Sequence, residues 1–354
     1  MAEEIRRCSR CILPENYPDV DYDEKGVCRV CREFDARYSN IDWVEKEKKL
    51  ATMLDRYRGK GKGKYDCMVP FSGGKDSTYA LWLLKNKYGM NPLAFNLDNG
   101  FSEDGALLFV RKAAERLNVD LYTYSPSKDF LYEVYGHALR ESGEFCTACV
   151  VLIPTAIFRA ADIHGIRLIA GGFSDMTEAP PPEFAYIDRV CFWNIMKSRF
   201  TKKQLAWDFF FPSWKRMFGV KYFNLPDYIE WDLPLIYDTL NRELNFNKNL
   251  SDIRYDCLGT PYSSFLFKKR NGIGKYEFLY ANMVRAGLID RDEALKIVAE
   301  RESQDIPEGF DSFIGRLGCD RSILEDMENR SIFNFKSRNR SFRKLAIKIR
   351  EMLP

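Results

Sequence analysis

A chain of 354 residues, 45% hydrophobic and 30% charged, is long enough to bury more than one packed core. Its net charge of +3 is too mild to imply nucleic acid by itself, and no stretch approaches the roughly 20 apolar residues of a membrane span. The amino terminus, Met1-Ala2-Glu3-Glu4-Ile5-Arg6-Arg7, carries charge where a signal peptide needs an apolar run, so a cytoplasmic location is expected. Ten cysteines, six of them in Cys-x-x-Cys pairs, then argue for metal or redox work over disulfides.

In chain order, residues 1–40 are turn-rich and hold Cys8, Cys11, Cys28 and Cys31 at a Cys-x2-Cys-x16-Cys-x2-Cys spacing. Two such knuckles bring four thiolates to one tetrahedral Zn2+, as in a zinc ribbon, and so small a module needs the metal to fold. Four thiolates leave no position open for substrate, so the expected role is structural, with a metal cluster or reduced thiols as the alternatives. Residues 41–63 read as a charged helix and a Gly-Lys linker.

Across 64–195 strand and helix signals alternate. Cys67–Phe71, Pro92–Leu97, Val119–Tyr124 and Ile166–Ala170 read as strands. Between them Asp76–Tyr88, Glu103–Leu117, a segment capped by Ser127 through Leu139, and Thr147–His164 read as helices. Pro154 must bend the last helix or sit in its first turn. This alternation predicts an α/β fold with a parallel sheet covered on both faces. Ligands of such sheets sit beyond the carboxyl ends of the strands, where loops at Ser72, Asp98 and Gly171 would meet. Residues 196–354 turn aromatic-rich and then mainly helical, a region for substrate or partner. Residues 335–350 contain seven Lys or Arg and no acid, at the spacing of a basic amphipathic helix.

Chemistry concentrates at Ser72-Gly73-Gly74-Lys75-Asp76-Ser77, between the first strand and its helix. Gly73 and Gly74 let the backbone approach a phosphate, and the helix N–H groups point at it. Lys75 adds charge, while Ser72, Ser77 and Thr78 add hydroxyl donors. The spacing is not Gly-x-x-x-x-Gly-Lys-[Ser/Thr], so γ-phosphoryl transfer is not the natural reading. Asp76 and Asp98 either orient Lys75 or hold Mg2+. Asp175 and Glu178 read as magnesium or substrate residues, or as helix-capping carboxylates. Cys146 and Cys149 open a helix whose amino terminus should lower their thiolate pKa. They read as half of a metal site, as a redox pair or as inert thiols. His137 and His164 read as packing or surface residues.

The loop in this context resembles the pyrophosphate loop of the PP-loop ATP pyrophosphatase superfamily, which splits ATP into AMP and pyrophosphate to activate a substrate oxygen. The resemblance implies a Rossmann-like sheet of the adenine nucleotide α-hydrolase type. It implies that Ser72, Gly73, Gly74, Lys75, Asp76, Ser77, Thr78, Asp98, Gly171 and Gly172 hold ATP, with Lys75, Asp76 and Asp175 catalytic. Gly171–Glu178 is similar to the superfamily's Gly-x-Asn-x-Asp-Asp-x-x-Glu segment, with Phe173 and Ser174 departing from it. Cys146 and Cys149 resemble the pair with which related tRNA thiolases, with one later cysteine, hold a 4Fe-4S cluster. Cys257 is the candidate third ligand, and Cys191 the alternative.

Taken together, Arg6-Arg7-Cys8-x-x-Cys11-Ile12-Leu13-Pro14, the loop and Gly287–Leu295 resemble the N-acetyl sugar amidotransferases. Those enzymes make acetamidino sugars for bacterial surface polysaccharides, such as lipopolysaccharide O-antigen, and for flagellar glycans. ATP would adenylate the acetamido oxygen of a free or nucleotide-linked sugar, and ammonia would displace AMP. With no glutaminase domain recognisable in the chain, the resemblance implies ammonia from a separate glutaminase subunit. Trp231-Asp232 and Lys268-Lys269-Arg270 are candidate surfaces for the sugar or that partner. The competing readings are an ATP-dependent tRNA thiolase, which shares the local motifs, and a non-catalytic nucleotide-binding subunit.

Overall fold

The computed structural model describes residues 5–17, 20–60, 63–179, 184, 187–210, 219–247, 257–302, 305–325 and 327–335. All seven cations of the basic stretch 335–350 lie outside them, as does the aromatic run 211–218.

Five parallel strands form one sheet in the order β3-β2-β1-β4-β5. They are β1 (Cys67–Pro70), β2 (Pro92–Leu97), β3 (Leu121–Tyr124), β4 (Leu168–Gly171) and β5 (Lys221–Asn224). Period-2 alternation along β1 gives the sheet its two buried faces. Cys67 and Val69 join one apolar cluster, and Met68 joins another. Helices α3 (Lys75–Trp82), α4 (Asp104–Arg116) and α10 (Leu233–Leu244) supply the first cluster, while α6 (Cys146–Ile163) supplies the second through Ala156, Ile157 and Ala160. The strand order turns around between β1 and β4, which is where such sheets place a crevice.

The fifth strand departs from the expectation that residues beyond 195 are mainly helical. Lys221-Tyr222-Phe223-Asn224 is only four residues long, lies at the sheet edge and buries Phe223 alone. Its aromatic pair suits a pleated surface, but so short an edge strand shows no sequence periodicity. The helix after β1 also differs, ending at Trp82 and passing into a π turn over Leu83–Lys87. Pro154 lies in the interior of α6, not in its first turn.

Against the expectation that no stretch approaches a membrane span, α6 is by length and mean hydropathy (1.6) apolar enough to cross one, the one described helix that is, and half of it is buried. It packs on β2, on α5 (Lys128–Ser142) and on α8 (Arg189–Met196), as a core helix does.

The remaining described helices include α1 (Arg29–Tyr38), α2 (Trp43–Tyr57), α7 (Asp175–Glu178), α9 (Lys202–Leu205), α11 (Thr260–Asn271), α12 (Lys275–Arg285), α13 (Arg291–Arg301) and α14 (Phe310–Arg316). Cys8, Cys11, Cys28 and Cys31 share an apolar cluster with Phe267, Tyr276, Leu279 and Val298. The four cysteines, Ile12 and Leu13 therefore pack against α11, α12 and α13 in one shared core.

Within that region burial pushes the Glu302 carboxyl up to about 7, against a 2.7 Å hydrogen bond from the Tyr276 N–H. A carboxyl raised on folding binds more protons folded than unfolded, so stability falls as pH rises from about 4.5 to 7. Glu302→Gln keeps an acceptor for Tyr276 and removes the ionisation. It is expected to exceed the parent in stability at pH 8 by about 1–2 kcal/mol, and to match it at pH 4.5. Urea unfolding at the two pH values reads the difference.

Candidate functional site

The glycine loop is held by hydrogen bonds from its own residues and from β2. Phe71 N–H donates to the Phe95 carbonyl (2.7 Å), and Asn96 Nδ2 donates to the Phe71 carbonyl (2.8 Å), fixing the loop's root to β2. Gly73 has φ +87°, and a Cβ there would fall 2.9 Å from Val110 Cγ2 on α4, so only glycine fits. Gly74 caps α3; its carbonyl accepts from Ser77 Oγ (3.1 Å) and Thr78 Oγ1 (2.8 Å). Ser72 Oγ accepts from the Gly74 N–H (3.3 Å) and lies 3.3 Å from Ser77 Oγ. A strand, a glycine turn and a helix N-terminus together offer N–H and O–H donors to an anion.

At the loop's end Lys75 Nζ and Asp76 Oδ2 form an ion pair. Asp76 is only 7% exposed, and its other oxygen accepts from Trp231 Nε1 at 2.7 Å. Trp231 is braced edge-on by Tyr79 at 5.2 Å. Burial works against charge on Lys75, but Asp76 and Glu178 outweigh it and hold the ammonium above its usual range. Lys75 is a fixed positive charge at every physiological pH. Trp231 therefore faces Asp76 rather than a sugar or partner, and Asp232 caps α10 by accepting from Leu235 N–H (3.1 Å). Arg270 is buried and donates to the Ser142 carbonyl (3.3 Å), so it is not a surface residue either.

The glycine pair after β4 makes a close approach. A Cβ on Gly172 would lie 2.2 Å from the Asp76 carbonyl oxygen, and one on Gly171 would lie 2.4 Å from Asn224 Oδ1. That contact seats β4 on the start of α3 and brings α7 to the loop. Of the two acids in α7, Glu178 acts on Lys75, while Asp175 pairs with Arg37 of α1 at 3.0 Å. Asp98 accepts from the Gly100 N–H (3.0 Å) and shapes its own turn at the end of β2. Among the described residues, no group of three or more carboxylate, His or Cys donors lies within 4.8 Å except the four amino-terminal cysteines. Carboxylates alone thus form no Mg2+ cage, in keeping with an ion that binds largely through substrate phosphates.

Those four cysteines fit a tetrahedral ion. Cys8 Sγ and Cys31 Sγ are 3.9 Å apart and Cys11 Sγ and Cys28 Sγ 3.8 Å apart. A Zn–S bond of about 2.3 Å sets tetrahedral sulfurs about 3.8 Å apart. Backbone N–H groups of Cys11 and Cys28 donate to Cys8 Sγ, and that of Leu13 donates to Cys11 Sγ. No local pattern marks Arg285, which is 5% exposed and donates from Nε to Cys31 Sγ (3.4 Å) and from Nη2 to Cys11 Sγ (3.7 Å). Arg291 donates to the Cys11 and Cys8 carbonyls at 3.2 and 3.3 Å. Four thiolates around Zn2+ sum to a charge of roughly −2, and Arg285 is the buried cation set against it.

Cys146, Cys149 and Cys257 gather beyond the end of β2. Asn99 Nδ2 donates to Cys149 Sγ (3.3 Å), and Tyr135 Oη donates to the Asn99 carbonyl (2.9 Å). Cys146 Sγ lies 3.0 Å from Ser263 Oγ, which Lys275 Nζ contacts, and Lys275 sits 3.3 Å from the buried Glu144 Oε2. Cys257 bridges to Ser102 on the same loop. The three sulfurs do not lie within 4.8 Å of one another, which does not suit a single tetrahedral ion. A four-iron cube spreads its thiolates wider. Burial pushes the Cys146 thiol up, with Lys275 pulling the other way, so the expected lowering at a helix start is not met. Cys191 is buried in α8, its Sγ 3.9 Å from the Ile332 carbonyl, and it forms no group of sulfurs within 4.8 Å with these three. His137 is a satisfied packing residue, its Nε2 3.0 Å from the Ile195 carbonyl.

Residues 243–350 match the family model for the C-terminal domain of LPS biosynthesis protein WbpG-like proteins. The matched segment carries Cys257, Ser263, Lys275 and Arg285, and it agrees with the surface-glycan resemblance drawn from the motifs. The chain is also similar to an uncharacterized protein of Methanocaldococcus jannaschii, 29% identical over 167 residues. That match covers 47% of this chain and spans 58% of the relative's length. Similar solved structures include the tRNA thiolase NcsA of Methanococcus maripaludis with its 4Fe-4S cluster, at 18% identity and TM-score 0.35 over 83% of this chain and 89% of that one. The NH3-dependent NAD synthetase of Campylobacter jejuni has 12% identity and TM-score 0.35, covering 76% and 99%. The NMN synthetase of Francisella tularensis has 14% identity and TM-score 0.35, covering 77% and 100%.

Proposed function

We propose that this chain is an ATP-dependent, AMP-forming amidotransferase that converts the acetamido group of a sugar to an acetamidino group for a bacterial surface glycan. The observation that carries the reading is the hydrogen-bonded loop Ser72–Thr78 with Asp76 held between Lys75 and Trp231. The family match over residues 243–350 supports the glycan context.

Loop N–H groups and the Ser72 and Ser77 hydroxyls bind the phosphates, and Lys75 neutralises the charge that grows on the departing pyrophosphate. The acetamido oxygen attacks the α-phosphorus and pyrophosphate leaves. Ammonia then adds to the imidate carbon, the C–O bond breaks, AMP departs with the oxygen and surplus protons pass to water. Mg2+, bound with ATP, supplies further charge neutralisation, and Glu178 beside Lys75 is the carboxylate that would hold it. A separate glutaminase supplies the ammonia.

A second reading, tRNA thiolation, draws on one observation: donors from Asn99 and Ser263 meet the sulfurs of Cys149 and Cys146, as around a cluster. The two readings part in one experiment. Protein, ATP and ammonium with a panel of acetamido sugars should release AMP and yield a product in which oxygen is replaced by NH, read by mass spectrometry. Cys149→Ser should retain that activity within about threefold, as expected of a residue outside the phosphate loop. AMP release only with tRNA and sulfide, abolished by Cys149→Ser, would replace the first reading by the second.

A further inference from the structure

The Arg37–Asp175 pair borders a cleft of about 150 Å3 that the mechanism above leaves unused. Tyr38, Trp43 and Lys46 line it from α1 and α2, and Ser174, Asp175 and Asp227 line it from the segments after β4 and β5. It thus lies beyond the carboxyl ends of two parallel strands, where these sheets bind ligands. One turn of α7 links its lining to the carboxylate that acts on Lys75. Glu178 at one end of α7 acts on Lys75, and Ser174 and Asp175 at the other end line the cleft. The Glu178 N–H donates to the Ser174 carbonyl at 2.8 Å, so the spacing is a single turn, about 5 Å.

The lining has a definite chemistry. Ser174 is 1% exposed, and its hydroxyl has no hydrogen-bond partner among the described residues. Buried hydroxyls are nearly always paired, so this one is set for a group from outside the chain. Asp175 and Asp227 offer acceptors, and Arg37 and Lys46 offer donors. Lys46 Nζ is steadied by the Asp227 carbonyl (2.8 Å) and sits 5.7 Å from the centre of the Trp43 ring. Trp43 and Tyr38 add flat apolar faces. Donors, acceptors and aromatic faces together suit a ring with hydroxyls on its edge and C–H groups on its faces. At about 30 Å3 for each water the cleft of about 150 Å3 holds about five, close to the scale of one such ring.

We propose that this cleft binds the pyranose ring of the acceptor sugar and directs its acetamido group toward Lys75. The proposal rests on the amidotransferase reading and adds the acceptor subsite to it. Saturation-transfer NMR with N-acetylhexosamines, free and UDP-linked, tests it without turnover on the full chain. The parent should transfer saturation to the sugar ring protons. Trp43→Ala should weaken sugar affinity at least tenfold, and Ser174→Ala several-fold, with ATP affinity and melting temperature unchanged. Parent-like sugar affinity in both variants, or no transfer to any probe in the parent, overturns the proposal. Sugar binding lost in Trp43→Ala, in a parent that releases no AMP with ammonium and any sugar, would sink the amidotransferase reading while leaving the subsite standing.

Discussion

Lys75→Met is expected to lower AMP-forming turnover by about 10²–10³-fold, the cost of deleting one charge aimed at a developing anion. Two effects mix in that variant, because it also leaves Asp76 buried without its cation. Breaking a buried pair costs about 3–5 kcal/mol, so some of the loss would be unfolding. The double variant Lys75→Met with Asp76→Asn separates them. Its neutral amide keeps the Trp231 contact and needs no cation, so thermal stability should recover while turnover stays low. If turnover returned with stability, Lys75 would be a structural residue and the phosphate reading would fall. Trp231→Phe probes the same carboxylate from the other side. Loss of the 2.7 Å bond to Asp76 should reduce kcat about tenfold with KM for ATP unchanged, since Trp231 positions a charge and does not bind nucleotide.

These residues mark where the sequence could be read and where it could not. Ser72–Thr78 was legible because a strand, two glycines and a helix start are local features. Cys8, Cys11, Cys28 and Cys31 were legible because knuckle spacing encodes a tetrahedron. Trp231 lies 155 residues from Asp76, and Arg285 lies 254 from Cys31. No periodicity links such partners; only the packed fold does. The same limit hid Ser263 and Lys275 beside Cys146, and Arg37 beside Asp175, whose sequence context offers a magnesium, substrate or capping carboxylate but no partner. Gly172 was found for an incomplete reason, since its backbone must meet the Asp76 carbonyl whatever it does for phosphate. β5 escaped because an edge strand buried at one position has no pattern to show.

Removal of the amino-terminal metal should reach far beyond the first 40 residues. The thiolates share a core with Tyr276, Leu279 and Val298, and Arg285, Arg291 and the Arg7–Glu277 pair (3.3 Å) tie them to α12 and α13. Purified protein should contain one zinc per chain by elemental analysis, and Cys11→Ser should abolish it. Structural zinc contributes about 10–16 kcal/mol in isolated finger peptides, so even a fraction of that should lower the melting temperature by about 10 °C or more. Amide exchange over 275–301 should accelerate together with exchange over 7–35, because the two stretches form one core. Arg285→Leu makes the finer test. With zinc retained, the loss of a buried countercharge should speed zinc transfer to a chelator about tenfold. Arg285→Lys should recover only part of the difference, since an ammonium cannot reach two sulfurs with one planar fork. Exchange over 275–301 that ignores metal removal would show that the cysteine module and α12–α13 fold independently, contrary to the shared core.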